Sequence, residues 1–211
     1  MMYQVKLYQH TEPTRLAVEE MTDPPRFLAF CKQCPNYGNT WSCPPLNFDG
    51  REYLQNFPYI HLLAAQIVFT EETINAARTK EEQARFCRES VLAVRNVVGA
   101  CLLQLENETR LSISGGNCHL CETCARLNGE PCVQPEKMRY AFNAFGFDVT
   151  KLLSQYFSIE LKWPGDGLPP YLTSVCAMLS QDPAEDFLAP LEKAFAEKGV
   201  AAKIVQRGCG A

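Results

Sequence analysis

Four cysteines lie within a span of fifteen residues and have the spacing of metal ligands. They follow the pattern C-x2-C-x2-C-x7-C and are Cys118, Cys121, Cys124 and Cys132. Three thiolates on one loop and a fourth near a proline are a common way to hold a four-iron cluster. Zinc more often takes its four ligands from two separated C-x2-C pairs. The spacing therefore favours a [4Fe-4S] cluster, with zinc as the alternative. Gly115 and Gly116, just before this segment, are expected to allow positive φ and a close approach of the backbone to an inorganic centre.

A second set of cysteines has only three local members. Cys31, Cys34 and Cys43 follow the pattern C-x2-C-x8-C, and two prolines come directly after the third. A fourth ligand must come from elsewhere or be absent. With a fourth cysteine the set would hold a second closed cluster, whereas three cysteines would leave one iron open to a substrate. We expect Cys87 as the first reserve ligand, with Cys209 or Cys176 less favoured.

The remaining cysteines and histidines have simpler interpretations. Cys87, Cys101 and Cys176 fall on apolar faces of predicted elements, which favours burial as small hydrophobic residues. Cys209 lies in a glycine-flanked tail and is expected to be incidental rather than a ligand. His61 lies within an apolar run and is predicted to be a core histidine.

Composition limits the classes of protein and partner. A chain of 211 residues with 46% hydrophobic residues can bury its own core, so we predict one domain spanning residues 1–211. The net charge of −4 argues against nucleic acid as a partner. Neither a signal peptide nor a long apolar span is visible, which predicts a cytoplasmic protein without a membrane partner. Eleven cysteines in a reducing compartment favour metal binding over disulfides.

Hydrophobic patterns predict the elements that must position the cysteines. Apolar runs at residues 59–70 and 171–179 predict buried strands, and an apolar seam at residues 79–107 predicts a long helix. A short helix from about residue 25 would deliver Cys31 and Cys34. We also predict a helix at 135–145 and a strand at 159–163. The fold class is then α/β or α+β, a mixed sheet packed by a long helix, with cysteine-rich segments 31–45 and 115–135 at one end.

Three parts of the chain resemble a known family. Residues 31–45 (CKQCPNYGNTWSCPP), residues 115–132, and the sequence AFGFDV at 144–149 look like the prokaryotic predicted metal-binding proteins of domain of unknown function 2284. The resemblance covers about residues 20–180, and the paired cysteine motifs are its specific part. It implies metal binding through both cysteine sets but names no reaction. Because such proteins are typical of anaerobic bacteria and archaea, it also favours oxygen-sensitive clusters.

These observations lead to one main functional prediction and two alternatives. We predict a protein with one or two [4Fe-4S] clusters that transfers electrons to or from a larger anaerobic enzyme, its redox partner protein. The first alternative is an enzyme with an open iron at Cys31, Cys34 and Cys43, acting on a small sulfur-containing substrate by sulfur transfer or desulfuration. The second is a zinc-stabilised interaction module. The sequence leaves enzymatic activity open.

Overall fold

Five strands form one mixed sheet. A computed structural model describes residues 2–165 and 167–209, and of Cys209 only the backbone. The strands are β1 (Tyr3–Pro13), β2 (Tyr59–Phe69), β3 (Arg110–Ile113), β4 (Tyr171–Ser180) and β5 (Ala202–Cys209). Their order in the sheet is β3-β4-β2-β1-β5. The β1 and β5 strands are parallel, and the other neighbouring pairs are antiparallel. The predicted α/β class with a mixed sheet is confirmed.

Seven α-helices accompany this sheet in the described part of the chain. They are α1 (Thr14–Met21), α2 (Pro24–Cys31), α3 (Gly50–Gln55), α4 (Glu71–Ala76), α5 (Lys80–Leu105), α6 (Val149–Phe157) and α7 (Leu188–Glu197). The long helix α5 begins with a capping box, because Thr79 Oγ1 accepts the Glu82 amide at 3.2 Å and the Glu82 carboxylate accepts the Thr79 amide at 3.0 Å. Within the described residues, no helix is long and apolar enough to cross a membrane.

The sheet carries a hydrophobic cluster on each face, because successive strand residues point to opposite sides. On one side, which we call the α5 face, Leu63 of β2 packs in a cluster with Val94 of α5 and residues of α7. On the other side, the α6 face, Leu62 of β2 packs in a cluster with Leu152 of α6 and residues of α1 and α3. Neither cluster contains any of the seven cysteines in the two predicted metal-binding sets.

Two predicted elements are wrong. Residues 135–145 form turns and a short 3-10 helix (Phe142–Phe145) instead of an α-helix. The backbone there is bonded to distant segments, since the Ala141 amide donates to the Ser42 carbonyl and the Phe142 amide to the Ser114 carbonyl, both at 2.8 Å. Residues 159–163 have no strand, and the Ile159 amide instead donates to a carbonyl near the end of α6, that of Leu153, at 3.0 Å. Long-range hydrogen bonds thus override the local pattern at 135–145, whereas at 159–163 the chain first closes the end of α6 with a local bond.

Candidate metal centre

The four-cysteine segment leaves the sheet through the glycine pair. At Gly115, a β-carbon would lie 2.8 Å from Ser174 Oγ and 3.1 Å from the Val175 carbonyl oxygen of β4. At Gly116, a β-carbon would overlap the guanidinium of Arg95 on α5, lying 2.6 Å from its Cζ. Neither glycine has a positive φ. The pair is therefore needed for close passage over β4 and Arg95, which corrects the expectation that it uses positive φ to approach the metal.

All four cysteines of the C-x2-C-x2-C-x7-C motif line one pocket. The pocket wall is formed by these four residues together with mostly apolar neighbours: Trp41, Cys118, Leu120, Cys121, Cys124, Ala125, Cys132, Val133, Gln134 and Met138. No carboxylate and no histidine belongs to this wall, and His119 points away as an exposed residue. A donor set of four sulfurs in an apolar setting fits a thiophilic centre, zinc or iron-sulfur, and does not fit Mg²⁺ or Ca²⁺.

The pocket is small as it stands. Its volume is about 20 Å³, little more than the space that one water molecule requires. Among the described residues, no group of three or more His, Cys, Asp or Glu side chains has the arrangement of a formed metal site. The four thiols thus share a pocket without being arranged as ligands, and their loop must adjust to bind a metal ion or a cluster.

Polar contacts to the sulfurs come from this segment itself. Gln134 Nε2 donates to Cys121 Sγ at 3.5 Å and to the Leu120 carbonyl at 3.1 Å. Burial raises the pKa of the Cys118 thiol, the Leu120 amide lowers it, and the nearby Cys132, Cys121 and Cys124 raise it further. The pKa of Cys118 therefore responds to the other three thiols of the motif, and a positive ion bound among them would favour their thiolate forms.

The three-cysteine set is also brought together. Cys31 is the last residue of α2, the Cys34 amide donates to its carbonyl at 2.9 Å, and Cys43 precedes the cis Pro44-Pro45 bond. Burial raises the pKa of Cys31, and Cys34 raises it further. The pKa of Cys43 is raised by burial, lowered by the Ser42 hydroxyl, raised by Cys34 and Cys31, and lowered by Arg126. The three thiols are therefore near enough to influence one another's pKa, and their role as a shared ligand set stays a prediction.

The reserve ligands do not complete this group. Cys87 and Cys176 are both 6% exposed and lie in the cluster on the α5 face, as does Cys101. Burial raises the pKa of Cys176 to about 12, and no charge from Cys87 or Cys176 shifts the pKa of Cys43. The structure supports their interpretation as core residues. The backbone of Cys209 pairs with Thr11, but its side chain lies outside the described residues.

The FGF part of the AFGFDV sequence holds the helix that delivers Cys31. Gly146 has a φ of 78°, and a β-carbon there would lie 2.6 Å from Pro24 Cα. The Asp23 amide donates to the Gly146 carbonyl at 2.8 Å, and Phe142 stacks on Phe147 at 4.2 Å between ring centroids. Glycine is required at 146 both for the left-handed backbone and for the contact with the start of α2.

Residues that sequence reasoning missed link the two cysteine segments. Arg126, between Cys124 and Cys132, donates from Nη1 to the carbonyls of Thr40 at 2.9 Å and Cys43 at 2.7 Å, and from Nη2 to Pro45 at 2.7 Å. Its guanidinium lies 4.8 Å from the centre of the Trp41 ring. Its position between two predicted ligands, Cys124 and Cys132, is the signal that the sequence offered. Trp41 itself lines the four-cysteine pocket.

A larger pocket adjoins the three-cysteine set. It has a volume of about 600 Å³ and lies between α2, α3 and the Phe142–Phe145 turn. Its wall includes Cys31, the cis-linked Pro44 and Pro45, and the apolar side chains of Leu28 and Phe145. Arg51 and Asn143 are among the few polar residues in this wall. Space for a small molecule is therefore available next to Cys31.

His61 illustrates the buried alternative to a metal-binding histidine. Its side chain is fully buried, and it bonds through Nδ1 to Thr11 Oγ1 at 2.9 Å and through Nε2 to Ser180 Oγ at 2.8 Å. No cysteine takes part in these contacts. The prediction of a core histidine is confirmed.

Comparison with known proteins gives one match. No curated protein and no solved structure matches the chain. A family model described as "Predicted metal-binding protein (DUF2284)" matches residues 14–177, a range that contains both cysteine sets and the AFGFDV sequence. The chain belongs to this family of predicted metal-binding proteins.

Proposed function

We propose that the protein binds a [4Fe-4S] cluster through Cys118, Cys121, Cys124 and Cys132 and transfers electrons to or from a larger enzyme. The observation that carries this proposal is the convergence of these four thiols on one pocket without a carboxylate or histidine in its wall. Full thiolate ligation suits electron transfer because no coordination position is left for a substrate. The cluster would supply one-electron chemistry, and the chain supplies ligands, cover and hydrogen bonds.

Three features of the chain support this role. The Gln134 amide group donates to Cys121 Sγ, and hydrogen bonds to sulfur are a main determinant of cluster potential. Trp41 and Met138 in the pocket wall limit the access of water. Every cysteine whose side chain is described has a free thiol, which suits the reducing cytoplasm of an anaerobe.

A redox partner protein would dock over the same segment. Leu120, Leu127 and Val133 belong to it and are 43%, 55% and 67% exposed. Two of these three, Leu120 and Val133, also line the four-cysteine pocket. An apolar surface directly over a redox centre brings a partner close without strong, long-lived binding, as transient electron-transfer complexes require.

Anaerobic purification tests the proposal. We expect a brown protein with iron and acid-labile sulfide in equal amounts, and a cluster signal in electron paramagnetic resonance after reduction. Cys121→Ser should remove the signal of the closed cluster, whereas Cys101→Ser, a matched change in the core, should leave it. A colourless protein with stoichiometric zinc and no sulfide would overturn the proposal in favour of a zinc-stabilised interaction module, which the small pocket volume would suit.

A second candidate function belongs to the three-cysteine set. We propose that Cys31, Cys34 and Cys43 hold an iron centre with one open position, which binds a small sulfur-containing substrate for sulfur transfer or desulfuration. Two observations favour it: the pocket of about 600 Å³ has Cys31 in its wall, and the described side chains provide no fourth cysteine.

A simple alkyl thiol serves as the probe for this candidate. Ethanethiol added to the iron-loaded protein should change the thiolate-to-iron absorption in the wild type and in Cys121→Ser. It should have no effect in Cys34→Ser. An unchanged wild-type spectrum would exclude an open position, and a response in Cys34→Ser would place the reactive centre elsewhere.

A further inference from the structure

Ser42 lies between the two cysteine sets. Its side chain is fully buried, and its Oγ accepts the Cys118 amide hydrogen at 2.8 Å. The same oxygen is 3.8 Å from Cys43 Sγ. A serine hydroxyl has one proton to donate and two lone pairs, and the Cys118 amide can only donate. While Cys43 is a thiol, either group can donate in this contact, and once Cys43 is a thiolate only the Ser42 hydroxyl can donate.

The backbone on both sides of Ser42 is held in place. The Ser42 carbonyl accepts the Ala141 amide at 2.8 Å, which ties it to the segment that follows the four-cysteine loop. On one side of Ser42, Trp41 lines the four-cysteine pocket and its Nε1 donates to the Glu130 carbonyl at 3.0 Å. On the other side, the Cys43 carbonyl accepts from Arg126 at 2.7 Å. Ser42 therefore lies on a stretch of backbone that is bonded to the four-cysteine segment on both sides.

We propose that Ser42 is a positioning residue that couples the two sets, so that a metal at Cys31, Cys34 and Cys43 tightens metal binding at the four-cysteine set. The proposal rests on metal binding at both sets, as proposed above. A metal-bound thiolate at Cys43 accepts the Ser42 hydroxyl more strongly than a thiol does. The stronger hydrogen bond to sulfur fixes the Ser42 hydroxyl so that a lone pair of Oγ points toward the Cys118 amide. The start of the four-cysteine segment is then already in place for metal binding.

Charge repulsion between two thiolate-rich sites opposes this coupling. Arg126 reduces that repulsion because it lies beside Cys43 and within the four-cysteine segment. All three of its hydrogen bonds in the described structure go to carbonyl oxygens, and none of the described ion pairs gives it a carboxylate. Its positive charge therefore remains available to the thiolates. We accordingly infer that the hydrogen-bond bridge determines the sign of the coupling.

Cobalt titration of the reduced, metal-free protein under anaerobic conditions tests the coupling. Thiolate-to-cobalt absorption reports binding. Cys34→Ser provides the spectrum of the four-cysteine set alone, and Cys121→Ser provides that of the three-cysteine set alone. We expect the dissociation constant of the four-cysteine set to be roughly fivefold lower in the wild type than in Cys34→Ser, near the lower end for coupled sites. In Ser42→Ala, adding Cys34→Ser should no longer change this constant.

The double-mutant comparison separates positioning from a general structural effect. If Ser42 only supported the fold, Ser42→Ala would weaken the four-cysteine set equally with and without Cys34. Ser90→Ala is the matched control, because Ser90 is also buried but bonds to carbonyls within α5. In Ser90→Ala, adding Cys34→Ser should still raise the dissociation constant of the four-cysteine set. Should Ser42→Ala fail to fold, Ser42→Thr, which keeps a hydroxyl, should retain the coupling, and the comparison of wild type with Cys34→Ser still shows whether the two sets are coupled at all.

Two results would overturn the coupling. One is a constant for the four-cysteine set that agrees within about twofold between wild type and Cys34→Ser, and the other is full coupling in Ser42→Ala. Cobalt binding at both sets without coupling contradicts this proposal alone. Failure of either set to bind cobalt contradicts the proposed metal binding as well, so the two failures are distinguishable.

Discussion

Replacement of Arg126 by methionine should destabilise the metal-free protein strongly. The guanidinium makes three hydrogen bonds of 2.7 to 2.9 Å to carbonyls of residues 40–45 and stacks on Trp41. A hydrogen bond from a charged donor contributes about 1.5–3 kcal/mol. The site is only half-buried and the three bonds are not independent, so we expect a loss of about 3 kcal/mol rather than the sum. Methionine keeps a similar stem, which limits the change to the polar contacts.

Urea unfolding with chelator and reductant present measures this loss. Trp41 provides a local signal, because it stacks on Arg126 and its fluorescence should change in Arg126→Met even before unfolding. Arg126→Lys keeps the charge but cannot reach three carbonyls in one plane. Its free energy of unfolding should therefore exceed that of Arg126→Met by only about 1 kcal/mol.

Arg15→Met is the matched control. Arg15 makes only an exposed pair with Glu19 at 3.3 Å, so its loss should cost less than about 0.5 kcal/mol. If Arg126→Met and Arg15→Met have the same free energy of unfolding, the contact between the two cysteine segments does not contribute to stability. The coupling proposed for Ser42 would then lack the stable contact between the two segments on which it depends.

Two further predictions concern the fold that positions the site. Burial lowers the pKa of His61 from 6.5 to about 4. Between these pH values the unfolded chain binds more protons than the folded chain does. About 3 kcal/mol of the free energy of unfolding present above pH 6.5 should therefore disappear as the pH falls to 4. Urea unfolding across this range should show that slope in the wild type but not in His61→Gln, and equal slopes would contradict it. Gly146→Ala should lower the free energy of unfolding by at least about 2 kcal/mol more than Gly129→Ala does. Gly129 has a similar φ of 72°, but a β-carbon there would meet open space. Similar costs in thermal unfolding would show that Gly146 is needed for φ alone.

The sequence predicted the parts of the fold that rest on local patterns. The run at residues 59–70 became β2, and the seam at residues 79–107 became α5, with the Thr79 cap in place. Both elements are specified by their own periodicity and end signals. Grouping of the thiols was predictable for the same reason, because three ligands of each set lie within fifteen residues of one another.

What the sequence could not predict depends on contacts between distant residues. The Ser42 hydroxyl bonds to the Cys118 amide, 76 residues away, and Arg126 reaches residues more than 80 positions earlier. Neither residue type is distinctive by itself, so no spacing pattern identifies them. The predicted helix at 135–145 failed because its backbone donors are bonded to Ser42 and Ser114. A local pattern gives no information about such partners.

The separation of the seven cysteines of the two sets from both hydrophobic clusters has a consequence for maturation of the protein. Because the core on each face of the sheet is complete without them, the newly made chain is expected to fold before it receives the proposed metal centre. A centre lost to oxidation would then leave a folded chain with partly exposed thiols, ready for reloading. Damage to the cofactor would be repaired by replacing the cofactor rather than by synthesising a new chain.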